Sequence, residues 1–95
     1  MYIFEVRDKT KRWIYLTDKR YSHIMQHSEM QNKIEEIKET LINPLKIINY
    51  SLEDDIKYYY RYYKNRKSTA KYLRVIVKYL NGKGFIITSY FVDRI

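Results

Sequence analysis

The two histidines of this chain stand four residues apart, in His23-Ile24-Met25-Gln26-His27, and Arg20 precedes the first by three. On a helix that i, i+3, i+7 spacing aligns one guanidinium and two imidazoles along a single stripe. An imidazole exchanges protons near neutral pH, with an unperturbed pKa of about 6.5, so the pair suits general acid–base work. A neighbouring guanidinium holds a phosphate and offsets the charge that builds on it. The stripe borders the apolar positions Tyr21, Ile24 and Met25, which predicts a half-buried site at a helix–sheet seam. Two other readings of the pair stay open. The imidazoles can fill that seam and bond to backbone. A His-x3-His couple can also ligate zinc, but Ile24 follows His23 where a helical metalloprotease carries glutamate, and the third ligand would have to be a carboxylate such as Glu29. No metal and no cofactor are expected.

Aromatic and basic residues supply a second chemistry. Tyr58-Tyr59-Tyr60-Arg61-Tyr62-Tyr63 interleaves rings with charge, and Lys64, Arg66, Lys71, Tyr72 and Arg74 follow closely. Rings beside cations can stack unpaired bases while gripping phosphates, at ~1–3 kcal/mol per stacked base. The candidate substrate-binding residues are therefore Arg61, Lys64, Arg66, Lys71, Tyr72 and Arg74. Tyrosine is also a good strand former, so each ring taken singly reads first as sheet packing, and the charged aromatic face as a whole is better evidence than any member of it. Thr88 and Tyr90 fall on one face of a strand by period two, where a hydroxyl and a phenol could orient a phosphate or a base.

The charge is segregated. The chain carries 95 residues, 19 Lys+Arg and 11 Asp+Glu, for a formal net charge of +8. From Ile56 to Val92 there are nine Lys/Arg and no acid, whereas residues 1–55 are close to neutral. A one-signed segment marks a phosphate-contacting surface more often than a merely solubilising one. The length suits one domain, residues 1–95, and the 45% apolar content excludes wholesale disorder. Without cysteine there is no disulfide framework, thiolate nucleophile or cysteine zinc site. The opening MYIFEVRDKTKRW is charged too early for a signal peptide, and no window approaches the ~20 apolar residues of a membrane span. A cytoplasmic protein with no membrane association is expected.

Positioning these residues requires two helices and a sheet. Tyr2–Val6 and Trp13–Leu16 read as a hairpin or two edge strands. Thr17 or Asp18 offers a helix N-cap, and a helical pattern runs to about Met30. A second helix over Gln31–Ile42 repeats Ile34, Ile37 and Leu41 on one face, with Glu35, Glu36 and Glu39 outside, until Pro44 stops it. Period two then takes over, in strands at Lys46–Tyr50, Ile56–Tyr63, Lys71–Leu80 and Phe85–Val92. Asn81-Gly82 is the signal of a type I′ hairpin. In the last strand Ile87, Ser89 and Phe91 point one way and Ile86, Thr88, Tyr90 and Val92 the other. The order predicts an α+β fold, with N-terminal short strands and two helices packed on one face of a roughly four-stranded antiparallel sheet. The other face would carry Arg, Lys, Tyr and Thr.

The series Arg20-x-x-His23-Ile24-x-x-His27-x-Glu29, a helix closing at Leu41-x-x-Pro44, Tyr72-Leu73-x-Val75-x-Val77 and Ile87-Thr88-Ser89-Tyr90 resembles a known pattern. It is similar to the small phage- and toxin-associated members of the barnase–EndoU–colicin–RelE-like nuclease superfamily, over about Trp13 to Phe91. Ser28 stands where those proteins usually have proline, and Ser89 where alanine is common. The resemblance implies metal-independent endoribonuclease activity, in which the ribose 2′-OH attacks the adjacent phosphate and expels the 5′-oxygen, leaving a 2′,3′-cyclic phosphate and a 5′-hydroxyl. By matching position, His23 would be the first candidate and His27 the second for general base or acid, Arg20 the anchor of the scissile phosphate, and Thr88 and Tyr90 the pair that positions the substrate. Lys71 and Arg74 are added because their strand adjoins Thr88 across the Asn81–Gly84 turn.

The leading expectation is thus a small ribonuclease acting on RNA, such as the toxin of a toxin–antitoxin pair or a phage-derived effector. An acidic antitoxin protein would cover its basic sheet face, on a monomer or dimer. The alternatives are a non-catalytic nucleic-acid-binding module with the same positive surface, and an adaptor whose basic face meets an acidic protein.

Overall fold

In the first turn of the chain Asp8 accepts hydrogen bonds from the Thr10 and Arg12 amides, both at 2.9 Å, and Lys11 takes the left-handed conformation at φ 73°. This Asx-type turn closes the first hairpin. The computed structural model describes Met1 to Ile95. Strands β1 (Tyr2–Arg7) and β2 (Trp13–Thr17) lead into helices α1 (Asp18–Met25) and α2 (Ile34–Ile42), separated by a 3-10 turn at Ser28–Met30. Strands β3 (Lys46–Asn49), β4 (Ile56–Tyr62), β5 (Tyr72–Leu80) and β6 (Lys83–Val92) follow. No helix is long and apolar enough to cross a membrane.

All six strands form one sheet in the order β1-β2-β6-β5-β4-β3. The α+β character and the C-terminal meander agree with the sequence pattern, but a roughly four-stranded antiparallel sheet does not. The first hairpin, instead of standing apart, joins the meander through β2, which runs parallel to β6. The physical reason lies at Gly84. This join is two residue pairs long, Ile14 with Gly84 and Tyr15 with Phe85. A Cβ on Gly84 would lie 2.5 Å from Ile14 Cδ1 and 2.9 Å from Val77 Cγ1, so only glycine lets the two strands approach there. The Asn81-Gly82 hairpin is as expected, with positive φ at both residues.

Both helices pack on one face. Ile24, Met30, Ile37 and Leu41 join Ile14, Leu16, Tyr59, Leu73, Val75, Val77, Ile86 and Phe91 in a single core. Thr17 caps α1 by accepting from the Arg20 amide at 3.2 Å. This helix stops at Met25 instead of running on to Met30. Ile24 and Met30 are both fully buried. Six residues of continuous helix would turn the second about 240° away from the first. His27 therefore takes an extended conformation (φ −79°, ψ 115°), which brings Met30 back to the core.

A bulge opposite Ile76 and Val77 rephases β6. Ile76 pairs with Thr88 and Val77 with Ile86, leaving Ile87 as the extra residue. Ile86 consequently faces the core with Ser89 and Phe91, not outward with Thr88 and Tyr90 as simple alternation requires.

Candidate nucleic-acid interface

The sheet face turned away from the helices is built by the phase of its ladders. Arg74 pairs with Tyr60 on one side and Tyr90 on the other, and Ile76 with Tyr58 and Thr88. These positions alternate with the core residues Leu73, Val75 and Val77, so their side chains stand on the open face. Arg74 is the centre of this face. Its Nε donates to the Tyr60 hydroxyl at 2.9 Å and its Nη1 to the Tyr90 hydroxyl at 3.0 Å. The guanidinium carbon lies 5.2, 5.3 and 5.5 Å from the ring centroids of Tyr58, Tyr60 and Tyr90. No carboxylate lies within salt-bridge distance of it. Burial works against its charge, yet the Tyr90 and Tyr60 phenols together outweigh that and hold the guanidinium above its ordinary pKa. The result is a fixed, permanent cation framed by rings, with no internal counter-charge.

More aromatics extend the platform. Tyr50 stacks on Tyr58 at 5.6 Å with ring planes only 9° apart, and Tyr62 packs on Tyr72 at 5.0 Å. At the other corner a chain of rings runs Tyr2–Tyr15–Phe85, at 4.6 and 5.5 Å. The strand positions of this face carry five cations (Arg7, Lys46, Arg74, Lys78 and Lys83) and one acid, Glu5. Such a surface offers stacking area and phosphate contacts together. The Tyr58 phenol is pushed above its ordinary pKa by burial and by the neighbouring Tyr50 and Tyr90 phenols, so it stays a neutral ring.

The candidate catalytic residues divide between two faces. Arg20, His23 and His27 belong to the helix layer, while Thr88 and Tyr90 stand on the open face beside Arg74. The two imidazoles are exposed instead of half-buried in a seam. Their ring centroids are 6.4 Å apart and nearly perpendicular. The early end of α1 accounts for His27, which lies beyond the helix and breaks the predicted stripe, whereas His23 stays within α1 on its exposed side. No group of three or more His, Cys, Asp or Glu side chains is arranged to hold a metal ion.

The substrate-binding set divides as well. Arg74 and Tyr72 are on the open face. Arg61, opposite Leu73, points to the helix side, where its Nη1 donates to the Asn43 carbonyl at 2.8 Å and its Nε is 3.3 Å from Glu39. Arg66 donates to the Ala70 carbonyl at 2.9 Å, and Lys71 donates to the carbonyls of Lys64 and Arg66. Lys64 is exposed in the same loop. Tyr58, Tyr60, Tyr15, Phe85, Lys46 and Lys83 were not singled out individually from sequence. Period two within Ile56–Tyr62, set in phase with Arg74, is the signal that selects Tyr58 and Tyr60.

In comparison with known proteins, the chain matches no family model, no curated protein and no solved structure.

Proposed function

We propose that this chain binds single-stranded nucleic acid, RNA foremost, across the open face of its sheet. Arg74 contacts a phosphate, and Tyr58, Tyr90 and the Tyr62–Tyr72 pair offer rings to successive bases. One observation carries the reading: a guanidinium held by two phenol oxygens, surrounded by three rings and lacking any carboxylate partner. A cation paired with a carboxylate within the fold would have little attraction left for a ligand; Arg74 gives two of its N–H groups to neutral phenols and no carboxylate offsets its charge. RNA as ligand and a chain without cysteine both fit the reducing cytoplasm.

The test is fluorescence anisotropy with a labelled oligouridylate. Arg74→Ala is expected to weaken binding about tenfold, the weight of one hydrogen-bonded contact to a charged group. The wild-type affinity should fall steeply with salt. Arg74→Gln, checked by thermal melting, guards against a change in folding. Affinity indifferent to both salt and Arg74 would leave the adaptor reading in its place, with an acidic protein, antitoxin or other, as the partner.

Endoribonuclease activity is a second reading, supported by the contact between Arg74 and the Tyr90 hydroxyl. With Thr88 two residues away on the same face, these groups could stabilise a phosphorane and exchange a proton with it. Arg20, His23 and His27 have no part in that version, because they lie across the sheet.

A further inference from the structure

At one end of the sheet, cationic side chains surround a basin of about 650 Å³. Arg61, Lys64, Arg66 and Lys67 line it, with Lys33 from the approach to α2 and Tyr62 from the end of β4; no acid is among the lining residues, although Glu39, Glu29 and Glu36 stand behind Arg61, Arg66 and Lys33. Two of its guanidiniums are fixed in place without any ligand. Arg66 is held by its bond to the Ala70 carbonyl at 2.9 Å and by stacking 3.5 Å from the Phe91 ring centroid. Arg61 is held by the Asn43 carbonyl at 2.8 Å and by Glu39 at 3.3 Å. Lys71, by capping the Lys64 and Arg66 carbonyls, ties the loop that carries the other cations. Glu29 lies 4.0 Å from Arg66 and Glu36 lies 3.9 Å from Lys33, whereas Lys64 and Lys67 have no acidic partner.

Tyr62 joins this basin to the open face. It lines the basin, and its ring packs on Tyr72 beside Arg74. We infer that the basin takes the backbone phosphates of the same single strand as it leaves the sheet past Tyr62, extending the footprint around the end of β4. The inference rests on the binding proposed for the sheet face. The two uncommitted ammonium groups of Lys64 and Lys67, with the ordered Arg66 guanidinium beside them, suit a polyanion with closely spaced charges, while Arg61, paired with Glu39, shapes the wall; a pre-ordered cation spares the complex part of the entropy cost of fixing it. A lone carboxylate would satisfy one of these cations and leave the others repelling each other.

The test uses the full chain and the double variant Lys64→Ser/Lys67→Ser. Both are titrated with oligouridylates of about three and about nine nucleotides, one shorter than a single-module site of ~4–16 nucleotides and one within it. The variant is expected to lower the ratio of nine-mer to three-mer affinity about tenfold. Its nine-mer salt slope should shrink by about 1.4, two cations at about 0.7 each on a single strand. The Arg66 and Lys67 amide resonances should shift with the nine-mer and not with the three-mer. An unchanged ratio and slope, with both oligonucleotides bound, overturns the inference and leaves the sheet-face reading standing. Failure of both oligonucleotides to bind the wild type removes the sheet-face reading first, and the basin's role with it. Tight binding of a polyglutamate peptide that the double variant loses, with no change in the nucleotide ratio, reassigns the basin to an acidic protein.

Discussion

The Tyr59 hydroxyl donates to the Asp8 carboxylate, joining the first turn of the chain to the middle of β4 across 51 residues of sequence. Tyr59 is fully buried and Asp8 is 4% exposed. The same carboxylate accepts from Thr10 Oγ1 at 2.7 Å and from the Thr10 and Arg12 amides. The Tyr79 hydroxyl touches that of Tyr59, and the Arg12 guanidinium covers the Tyr79 ring at 4.4 Å. A buried carboxylate with so many donors is a lock: it anchors the first hairpin to the meander and so completes the platform on the opposite face.

Replacing Asp8 by alanine leaves the Tyr59 hydroxyl and two amides without their acceptor. The expected loss is about 2–3 kcal/mol of folding stability, measured by urea denaturation. Tyr59→Phe removes one donor from a carboxylate that keeps the Thr10 hydroxyl, two amides and the more distant Tyr79 hydroxyl, and should cost about 1 kcal/mol. A larger loss for Tyr59→Phe than for Asp8→Ala would show that ring packing, and not the carboxylate, holds the hairpin.

Gly84→Ala should destabilise the fold by about 1–3 kcal/mol, because the added methyl meets Ile14 and Val77 in a packed core. Gly82→Ala meets no neighbouring atom within 4 Å, and its cost comes from the positive φ of 79° alone. Double substitution of Gly84→Ala with Ile14→Val is expected to recover part of the loss, since Ile14 Cδ1 is the nearest obstacle. Equal melting temperatures for wild type and Gly84→Ala would mean that β2 does not dock on β6 as described.

High pH should unfold this protein through its tyrosines. Burial, with the Asp8 and Tyr79 hydrogen bonds, pushes the Tyr59 phenol far above its ordinary 10.0. Burial and the Glu39 carboxylate raise Tyr63, and burial is the largest cause of the rise at Tyr79 and Tyr58. A phenol whose folded pKa exceeds its unfolded value contributes stability that is complete below pH 10 and falls as the pH climbs past it. These four should form tyrosinate only above the ordinary phenol range. In an absorbance titration their ionisation is expected to coincide with loss of the fold, and Tyr59→Phe should move that transition.

Much of this architecture can be read from residue order. Alternation in Lys71–Leu80 separates Leu73, Val75 and Val77 from Arg74 and Ile76, and Asn81-Gly82 marks the hairpin. The parallel join could not be read there, because Gly84 sits two residues after Gly82 and passes for part of the same turn. The break in α1 has a similar origin: Ile24 and Met30 satisfy a helical pattern separately, and only the position of the core reveals that one helix cannot bury both. The site was legible as composition and not as geometry. Segregated charge in Ile56–Val92 suggests one patch, yet the ladder sends Arg74 to the open face and Arg61 to the helices. That difference is a matter of strand phase.

The phenols that hold Arg74 should matter beyond their rings. Tyr60→Phe and Tyr90→Phe keep the stacking surface and remove the two acceptors, so the guanidinium gains freedom that binding must then take away. An affinity loss of about threefold for each is expected, with the salt slope unchanged because no charge is lost. Arg74→Lys retains the charge but cannot donate to both phenols in the same plane, and should fall below either phenylalanine variant. A drop in salt slope on Tyr60→Phe would contradict this account, since it would mean that the cation itself had left the interface.

The division of the polar residues between two faces makes a prediction about cleavage. General acid–base groups must reach the same phosphate to contribute their ~10²–10⁴ in rate. His23 and His27 lie across the sheet from Thr88 and Tyr90, so they cannot share a scissile phosphate held at Arg74. Incubated with RNA, the protein is expected to bind it and leave it intact. Should fragments ending in 2′,3′-cyclic phosphate form, the rate is expected to fall by that factor for Tyr90→Phe or Arg74→Ala and to stay within about threefold for His23→Ala. Cleavage that His23→Ala abolishes while Tyr90→Phe spares it would put the reacting phosphate on the helix layer. RNA binding on the open face would then serve capture alone.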